Sequence, residues 1–313
     1  MKIKNALPKG YTLKHYRIEK ILGGGGFSVV YLAHDTASDR RCIIKEYLPS
    51  DQAIRLKDYS VHCQSEEKAS SFKLGFKRFF DEAAALAKVH HPNIVRVQNF
   101  FRANNTVYMV MDYERGRDLR YYIKRHGGGL SEKFIRTIFT ELLKGLQELH
   151  KHNLLHLDIK PANIYLRPGG KPLLLDFGAA REAAINHKPS EPHTLTRGFA
   201  PLEQHRHKSV GPWTDLYAIG ASMYACMSGK APPATPERAD RDTLKPVTRT
   251  FFGRPYSAQL LEAVDWCLQL NAKDRPHTVH ELLEFLTTEN DATHKMMTPW
   301  YLTPISLPWI SKK

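Results

Sequence analysis

The spacing of apolar residues changes period along this chain, and the changes divide it in two. Residues 16–22 alternate apolar and polar, while 29–33 and 41–45 are short apolar runs bounded by turn residues, so three strands are predicted at the start. From 75 to 89, Phe76, Phe79, Phe80, Ala83, Leu86 and Ala87 recur at helical spacing, with Glu82 near that apolar face. Strands are predicted again at 93–101 and 106–111, and the polar, glycine-containing run 112–116 reads as a linker. Helical spacing then dominates. Ser131 caps a long helix reaching about Leu149, with Phe134, Ile138, Leu142 and Leu146 as its buried stripe. Further helices are predicted from near Trp213, over 257–270 and over 279–286, with two short buried strands at 154–155 and 163–166. Residues 46–74 have no clear period and read as a surface insertion, and the Pro-rich, charged stretch 229–256 reads as mostly irregular. The pattern predicts an α+β chain with a small, mainly β first part containing one main helix and a larger, mainly α second part.

Composition adds few constraints. With 313 residues, 42% hydrophobic and 25% charged, the chain can bury a large core, in two domains or lobes on the usual size prior. Cys42, Cys63, Cys226 and Cys267 are widely spaced with no C-x-x-C pair, which argues against a disulfide framework or a zinc site and fits a reducing cytosol. No apolar run is long enough to span a bilayer and the charged start lacks a signal-peptide core, so a cytoplasmic location is expected. A net charge of +14 favours acidic partners.

The chemistry concentrates in His156-Leu157-Asp158-Ile159-Lys160-Pro161-Ala162-Asn163, followed after two apolar runs by Asp176-Phe177-Gly178. A Pro-containing segment between two short strands is a loop on a rigid frame. On it, a fixed carboxylate can take a hydroxyl proton and an ammonium can neutralise phosphate, while an Asn and a second Asp can hold Mg²⁺ through oxygen. Upstream, Gly23-Gly24-Gly25-Gly26-Phe27-Ser28 joins two strands, and residues without a Cβ let backbone N–H groups approach phosphates closely. Alone this is as well read as a plain hairpin, and Lys45 alone as an edge-strand solubiliser. Their order along the chain favours a phosphate flap followed by a lysine aimed at the same phosphates.

At this point the chain resembles the serine/threonine protein kinases, in particular the bacterial ones, over about residues 12–288. The motifs carrying the resemblance stand in family order. They are the glycine flap, Lys45, Glu82, the H-R-D-x-K-x-x-N-like run 156–163, Asp176-Phe177-Gly178, Ala200-Pro201-Leu202-Glu203 with Asp215, and Arg275. The Leu7-Pro8-Lys9-Gly10-Tyr11 lead-in and the Pro201-Leu202-Glu203-Gln204 ending are similar to the bacterial members, and Lys160 follows the serine/threonine pattern.

The resemblance implies a bilobal protein-kinase fold: lead-in 1–11, N-lobe 12–111, hinge 112–116, C-lobe 117–288 and tail 289–313. It implies phosphoryl transfer from Mg-ATP to Ser or Thr hydroxyls of proteins, with Asp158 orienting the hydroxyl and accepting its proton. Lys160 and Lys45 would neutralise phosphate, Glu82 would pair with Lys45, and Asn163 with Asp176 would coordinate Mg²⁺. Nucleotide contacts would fall to Leu22, Gly23, Gly24, Gly25, Gly26, Phe27, Ser28, Val30, Ile43, Lys45, Met111, Asp112, Tyr113 and Tyr165. Asp215 would brace the catalytic-loop backbone, and Arg275 would be the buried partner of Glu203.

The departures from the pattern carry expectations of their own. Leu157 replaces the Arg that binds a phosphate on the activation loop, so turnover is expected without phosphorylation of that loop, where Thr194 lies among Arg181, Lys188, His193 and Arg197. Thr196 matches the family's structural Thr near the catalytic Asp. Ser28 replaces the third flap glycine, and Ile43 with Tyr165 narrows the adenine slot. A competing reading is a pseudokinase that binds nucleotide and partners as a scaffold, and a third is a small-molecule phosphotransferase of related fold. The intact set of Lys45, Glu82, Asp158, Asn163 and Asp176 opposes the first. The long loop, the Ala200 to Glu203 segment and Arg275 oppose the second. The basic surface favours acidic or phosphorylated protein substrates, and nucleic acid is not expected as a partner. The tail, with Trp300, Tyr301 and Trp309, reads as packing on the body, contacting a partner or lying on a membrane surface, the first being favoured.

Overall fold

The computed structural model describes residues 3–176, 181–182, 195–251 and 255–288. Strands β1 (Thr12–Leu13), β2 (Tyr16–Gly24), β3 (Ser28–Asp35) and β4 (Arg40–Tyr47) follow one another as antiparallel hairpins. The small hairpin β5 (Ala53–Arg55) and β6 (Val61–Cys63), then helix α1 (Glu66–Leu86), intervene before β7 (Val97–Ala103) and β8 (Thr106–Asp112). The main sheet has six strands in the order β1-β2-β3-β4-β8-β7, and α1 packs across β7 and β8. Within it Lys45 lies opposite Val30 on one side and Met109 on the other, while Ile43 lies opposite Met111. Because side chains alternate between faces, Ile43, Lys45 and Tyr47 share the α1 side, whereas Cys42, Ile44 and Glu46 face the outside.

That outer face is covered, which corrects the reading of 46–74 as a surface insertion. Glu46 is wholly buried there. Its carboxylate accepts hydrogen bonds from Tyr31 Oη and Tyr108 Oη at 2.6 Å each and from Arg55 Nη2 at 2.5 Å. Arg55 Nε also donates to the carbonyl of Asn5 at 2.7 Å, and the Leu7 N–H donates to Tyr31 Oη at 3.0 Å. A buried carboxylate needs such partners, and collecting them ties the lead-in and the small hairpin to the back of the sheet. Helix α1 also starts well before residue 75. Its first turns hold Ala69, Phe72 and an exposed Leu74 among polar residues, with no apolar stripe, so helical spacing becomes legible only from Phe76 onward.

The second part begins with β9 (Arg117–Asp118) and α2 (Leu119–His126), a helix absent from the sequence expectations, whose Asp118 cap accepts from the Tyr121 N–H. Helix α3 (Glu132–Lys151) starts as expected at Ser131, whose hydroxyl accepts from the Phe134 N–H. Short strands β10 (Leu154–Leu155), β11 (Ile164–Leu166), β12 (Pro172–Leu174) and β13 (Arg181–Glu182) follow; β11 pairs with both β9 and β12, and β10 with β13. Then come α4 (Leu202–His205), α5 (Pro212–Ser228), α6 (Thr235–Asp240), α7 (Val247–Thr250), α8 (Ala258–Cys267) and α9 (Val279–Thr287). Helix α5 is buried continuously from Thr214 to Met227 and packs on α3 and α8, as expected of a helix apolar nearly all round. The stretch 229–256 is less irregular than predicted: Pro236 in its first turn starts α6, whose Arg238 is buried against Asp242, Tyr217 Oη and the Leu268 carbonyl. Among the described residues no helix is long and apolar enough to cross a membrane. Phe177, Gly178, Lys188, His193, Thr194 and the tail 289–313 lie outside the described residues.

Candidate active site

Between the two parts, the hinge run closes on β11. Gly116, at φ +154°, sits where a Cβ would come within 2.1 Å of the Leu166 carbonyl oxygen and 2.8 Å of Tyr165 Cε1. Tyr165 is half-buried beside it, and both Tyr165 and Ile43 pack at the edge of the core that includes Met111. Asp112 is half-buried at the end of β8, Tyr113 is exposed, and Leu22 is exposed on β2. Gly23 and Gly24 end β2, Ser28 and Val30 stand on β3, and Gly25, Gly26 and Phe27 make the turn between them. That turn is pinned from behind, since the Ser50 N–H donates to Gly26 O at 2.8 Å and the Leu48 N–H to Phe27 O at 2.9 Å.

Below the flap, Lys45 is buried, and its ammonium donates to Asp176 Oδ1 at 2.6 Å. Burial opposes its charge, but Asp176 foremost and then Glu82 hold its pKa above the ordinary lysine value. The expected Lys45–Glu82 ion pair is not formed, because Asp176 takes the ammonium. Glu82 Oε1 is enclosed without a hydrogen-bond partner. Burial therefore pushes the Glu82 carboxyl up to about 8, against the pull of Lys45.

A carboxyl whose folded pKa lies above its unfolded value contributes stability that is complete below the unfolded pKa, near 4.5, and lost as pH rises through about 8. In denaturant titrations at pH 5, 6.5 and 8, Glu82→Gln should hold its stability where wild type loses it, the gap growing to roughly a few kcal/mol. Parallel pH dependence in the two proteins would count against a buried, protonated Glu82.

The loop 156–163 is held by Asp215 at its backbone and through the His156 ring. Asp215, buried in the first turn of α5, accepts from the His156 N–H at 2.9 Å and the Leu157 N–H at 2.8 Å. It also pairs with His150 Nε2 at 2.9 Å. Burial works against the Asp215 carboxylate, but these donors, His150 first, hold its pKa below the usual range. Burial keeps His156 neutral by lowering its pKa, although Asp215 acts the other way. In that form the ring donates from Nε2 to Leu175 O at 3.0 Å and accepts the Asp158 N–H on Nδ1 at 3.2 Å.

These constraints bring four predicted polar groups together. Lys160 Nζ donates to Asp158 Oδ2 at 2.7 Å, to Oδ1 at 3.0 Å and to Thr196 Oγ1 at 3.0 Å. Thr196 Oγ1 donates to Asp158 Oδ1 at 2.9 Å, and Asn163 Nδ2 to Asp158 O and Oδ2 at 2.9 and 3.1 Å. With its amino group engaged, Asn163 has its amide oxygen left for a ligand. That oxygen and the Asp176 carboxylate are hard donors of the kind Mg²⁺ takes alongside substrate phosphates. Among the described residues no three His, Cys, Asp or Glu side chains form a metal cage of their own.

Further along, Arg275 and Glu203 form the expected buried pair, at 2.7 and 3.1 Å. Two contacts were not legible beforehand. His150 closes on Asp215 from α3, and Gln204 Nε2 donates to the Leu157 carbonyl at 2.9 Å. Neither follows from spacing, because each partner lies far away in sequence.

Against known proteins, residues 16–286 match the family described as protein kinase domain. The chain is 31% identical over 282 residues to the serine/threonine-protein kinase PknA of Nostoc sp., covering 87% of this chain and 46% of that protein. It is 34% identical over 217 residues to serine/threonine-protein kinase F of Synechocystis sp., covering 67% of this chain and 43% of that protein. It thus spans less than half the length of these relatives. A solved structure described as PpkA-294 apo form is similar at a TM-score of 0.79 and 35% identity, covering 90% of this chain and 100% of that one.

Proposed function

Since the chain belongs to the protein kinase domain family, we propose that it transfers the γ-phosphoryl group of ATP to Ser or Thr hydroxyls of protein substrates. The observation that carries this reading is the cluster in which Lys160, Thr196 and Asn163 all meet the Asp158 carboxylate within 3.1 Å. Asp158 accepts the proton of the substrate hydroxyl and orients it. Lys160 stands within reach of the same site, where it neutralises charge on the transferred group. Lys45 does so from the N-lobe side, and the flap from 22 to 30 covers the phosphates with backbone N–H groups. Ile43, Met111, Asp112, Tyr113 and Tyr165 bound the adenine end.

Asn163 and Asp176 would hold Mg²⁺, which when bound supplies charge neutralisation on the phosphates. A loose transition state leaves little covalent work for the protein, so positioning and electrostatics must provide the acceleration. Mg-ATP availability makes the cytoplasm the location we assign. The net charge of +14 supports acidic protein substrates.

Leu157 offers no cation for a phosphate, so the same reading holds that turnover does not need activation-loop phosphorylation. Thr194→Ala should therefore keep kcat within about twofold of wild type in a steady-state assay, and loss of turnover with fold and ATP binding intact would exclude it. The experiment for the reading as a whole is label transfer from γ-labelled ATP with Mg²⁺ to the chain itself and to a generic protein acceptor. Label on Ser or Thr, mapped by mass spectrometry, supports a kinase. No label while ATP still raises the unfolding temperature would make the chain a nucleotide-binding scaffold.

A further inference from the structure

Leu157 has φ +61°, in the left-handed region that L side chains rarely adopt, immediately before Asp158. Such a conformation persists only where the surroundings over-determine it. Its own N–H is held by Asp215 Oδ1 at 2.8 Å. The peptide group that follows, made of the Leu157 carbonyl and the Asp158 N–H, is held at both ends. Gln204 Nε2 donates to the carbonyl at 2.9 Å, and the N–H donates to His156 Nδ1 at 3.2 Å. This peptide ends at Asp158 Cα, which carries the side chain, so holding its plane restricts the directions the carboxylate can take.

Gln204 reaches it from a rigid mount. Its neighbour Glu203 is buried, held by Arg275 at 2.7 and 3.1 Å and by Thr214 Oγ1 at 3.0 Å. We propose that Gln204 is a positioning residue for phosphoryl transfer, fixing the Leu157–Asp158 peptide through one side-chain hydrogen bond and so aiming Asp158. It joins the segment after the activation loop to the catalytic loop through a neutral contact, where Leu157 offers no side-chain charge for a phosphate to bridge. This rests on the kinase reading above.

The test uses the full chain with Gln204→Leu, which removes the donor at similar size, and Gln204→Glu, which is isosteric. Steady-state kinetics with Mg-ATP and a Ser/Thr protein substrate are paired with thermal unfolding, with and without Mg-ATP. Gln204→Leu should lower kcat about ten- to a hundredfold while KM for ATP stays within about twofold, and Mg-ATP should still raise the unfolding temperature as in wild type. Gln204→Glu cannot donate while ionised but can when protonated, so its kcat relative to wild type should rise as pH falls from about 7 toward about 5, near the ordinary glutamate range. The ratio for Gln204→Leu should stay flat. A purely structural role would lower the unfolding temperature of both variants and give neither the kcat-only loss nor the pH-dependent recovery. A Gln204→Leu kcat within twofold of an active wild type would overturn the proposal alone. A wild type that transfers no label would overturn the kinase reading and the proposal with it.

Discussion

Asp158→Asn is expected to lower kcat by about three orders of magnitude or more, roughly 4 kcal/mol of transition-state stabilisation, while the chain stays folded and binds nucleotide. The carboxylate accepts from Lys160, Thr196 and Asn163 at once, an arrangement built around a negative charge. Asparagine keeps the shape but removes the charge and one acceptor, so its amino group must face Lys160 Nζ or Asn163 Nδ2, donor against donor. It also cannot accept a proton, and a positioned base contributes about 10² to 10⁴ in rate. The side chain is about a quarter exposed, so water can solvate the mismatch and the stability cost stays small. Single-turnover transfer, measured beside the unfolding temperature with Mg-ATP, separates lost chemistry from lost structure. Wild-type-like turnover in a folded Asp158→Asn protein would end the catalytic assignment.

How much was legible from the sequence depended on how local each signal was. The strands around the glycine turn, the Ser131 cap with the stripe of α3, and the loop carrying Asp158 and Asn163 all rest on short-range patterns, which the chain displays openly. Glu46 stands in a polar run, and polarity alone does not show that a residue is exposed. A carboxylate can be buried where Tyr31, Tyr108 and Arg55 converge on it, and their convergence is set by sheet register, which single-residue polarity does not encode. Helix α2 was missed because Arg120, Lys124, Arg125 and His126 leave only Leu119 and Ile123 as buried positions, too few to display a period. The Lys45–Glu82 pairing failed for another reason. Three titratable groups meet below the flap, and motif order says that they meet, not which carboxyl group the ammonium takes.

The largest stability effect is expected at Arg275. Its guanidinium is fully buried, donates to both Glu203 oxygens, and also donates to the carbonyls of Gln269 at 2.8 Å, Leu270 at 3.0 Å and Trp213 at 3.3 Å. It lies over the Tyr217 ring at 4.9 Å from the centroid. Arg275→Met leaves Glu203 charged and buried with Thr214 as its remaining side-chain donor, and strands three backbone acceptors. Breaking one side of a buried pair costs about 3–5 kcal/mol, a large share of the ~5–15 kcal/mol that holds a typical domain together. Urea denaturation should show the midpoint falling with little change in slope. Adding Glu203→Leu removes the stranded carboxylate, so the double variant should recover part of the loss, short of wild type because the carbonyls stay unpaired. A loss below about 1 kcal/mol for Arg275→Met would mean that water reaches Glu203 and the pair is not the anchor its burial implies. Because Glu203 carries Gln204, the folded fraction of Arg275→Met should also turn over more slowly than wild type. The link between that anchor and Asp158 thus runs through a buried ion pair, one neutral hydrogen bond and a single strained peptide.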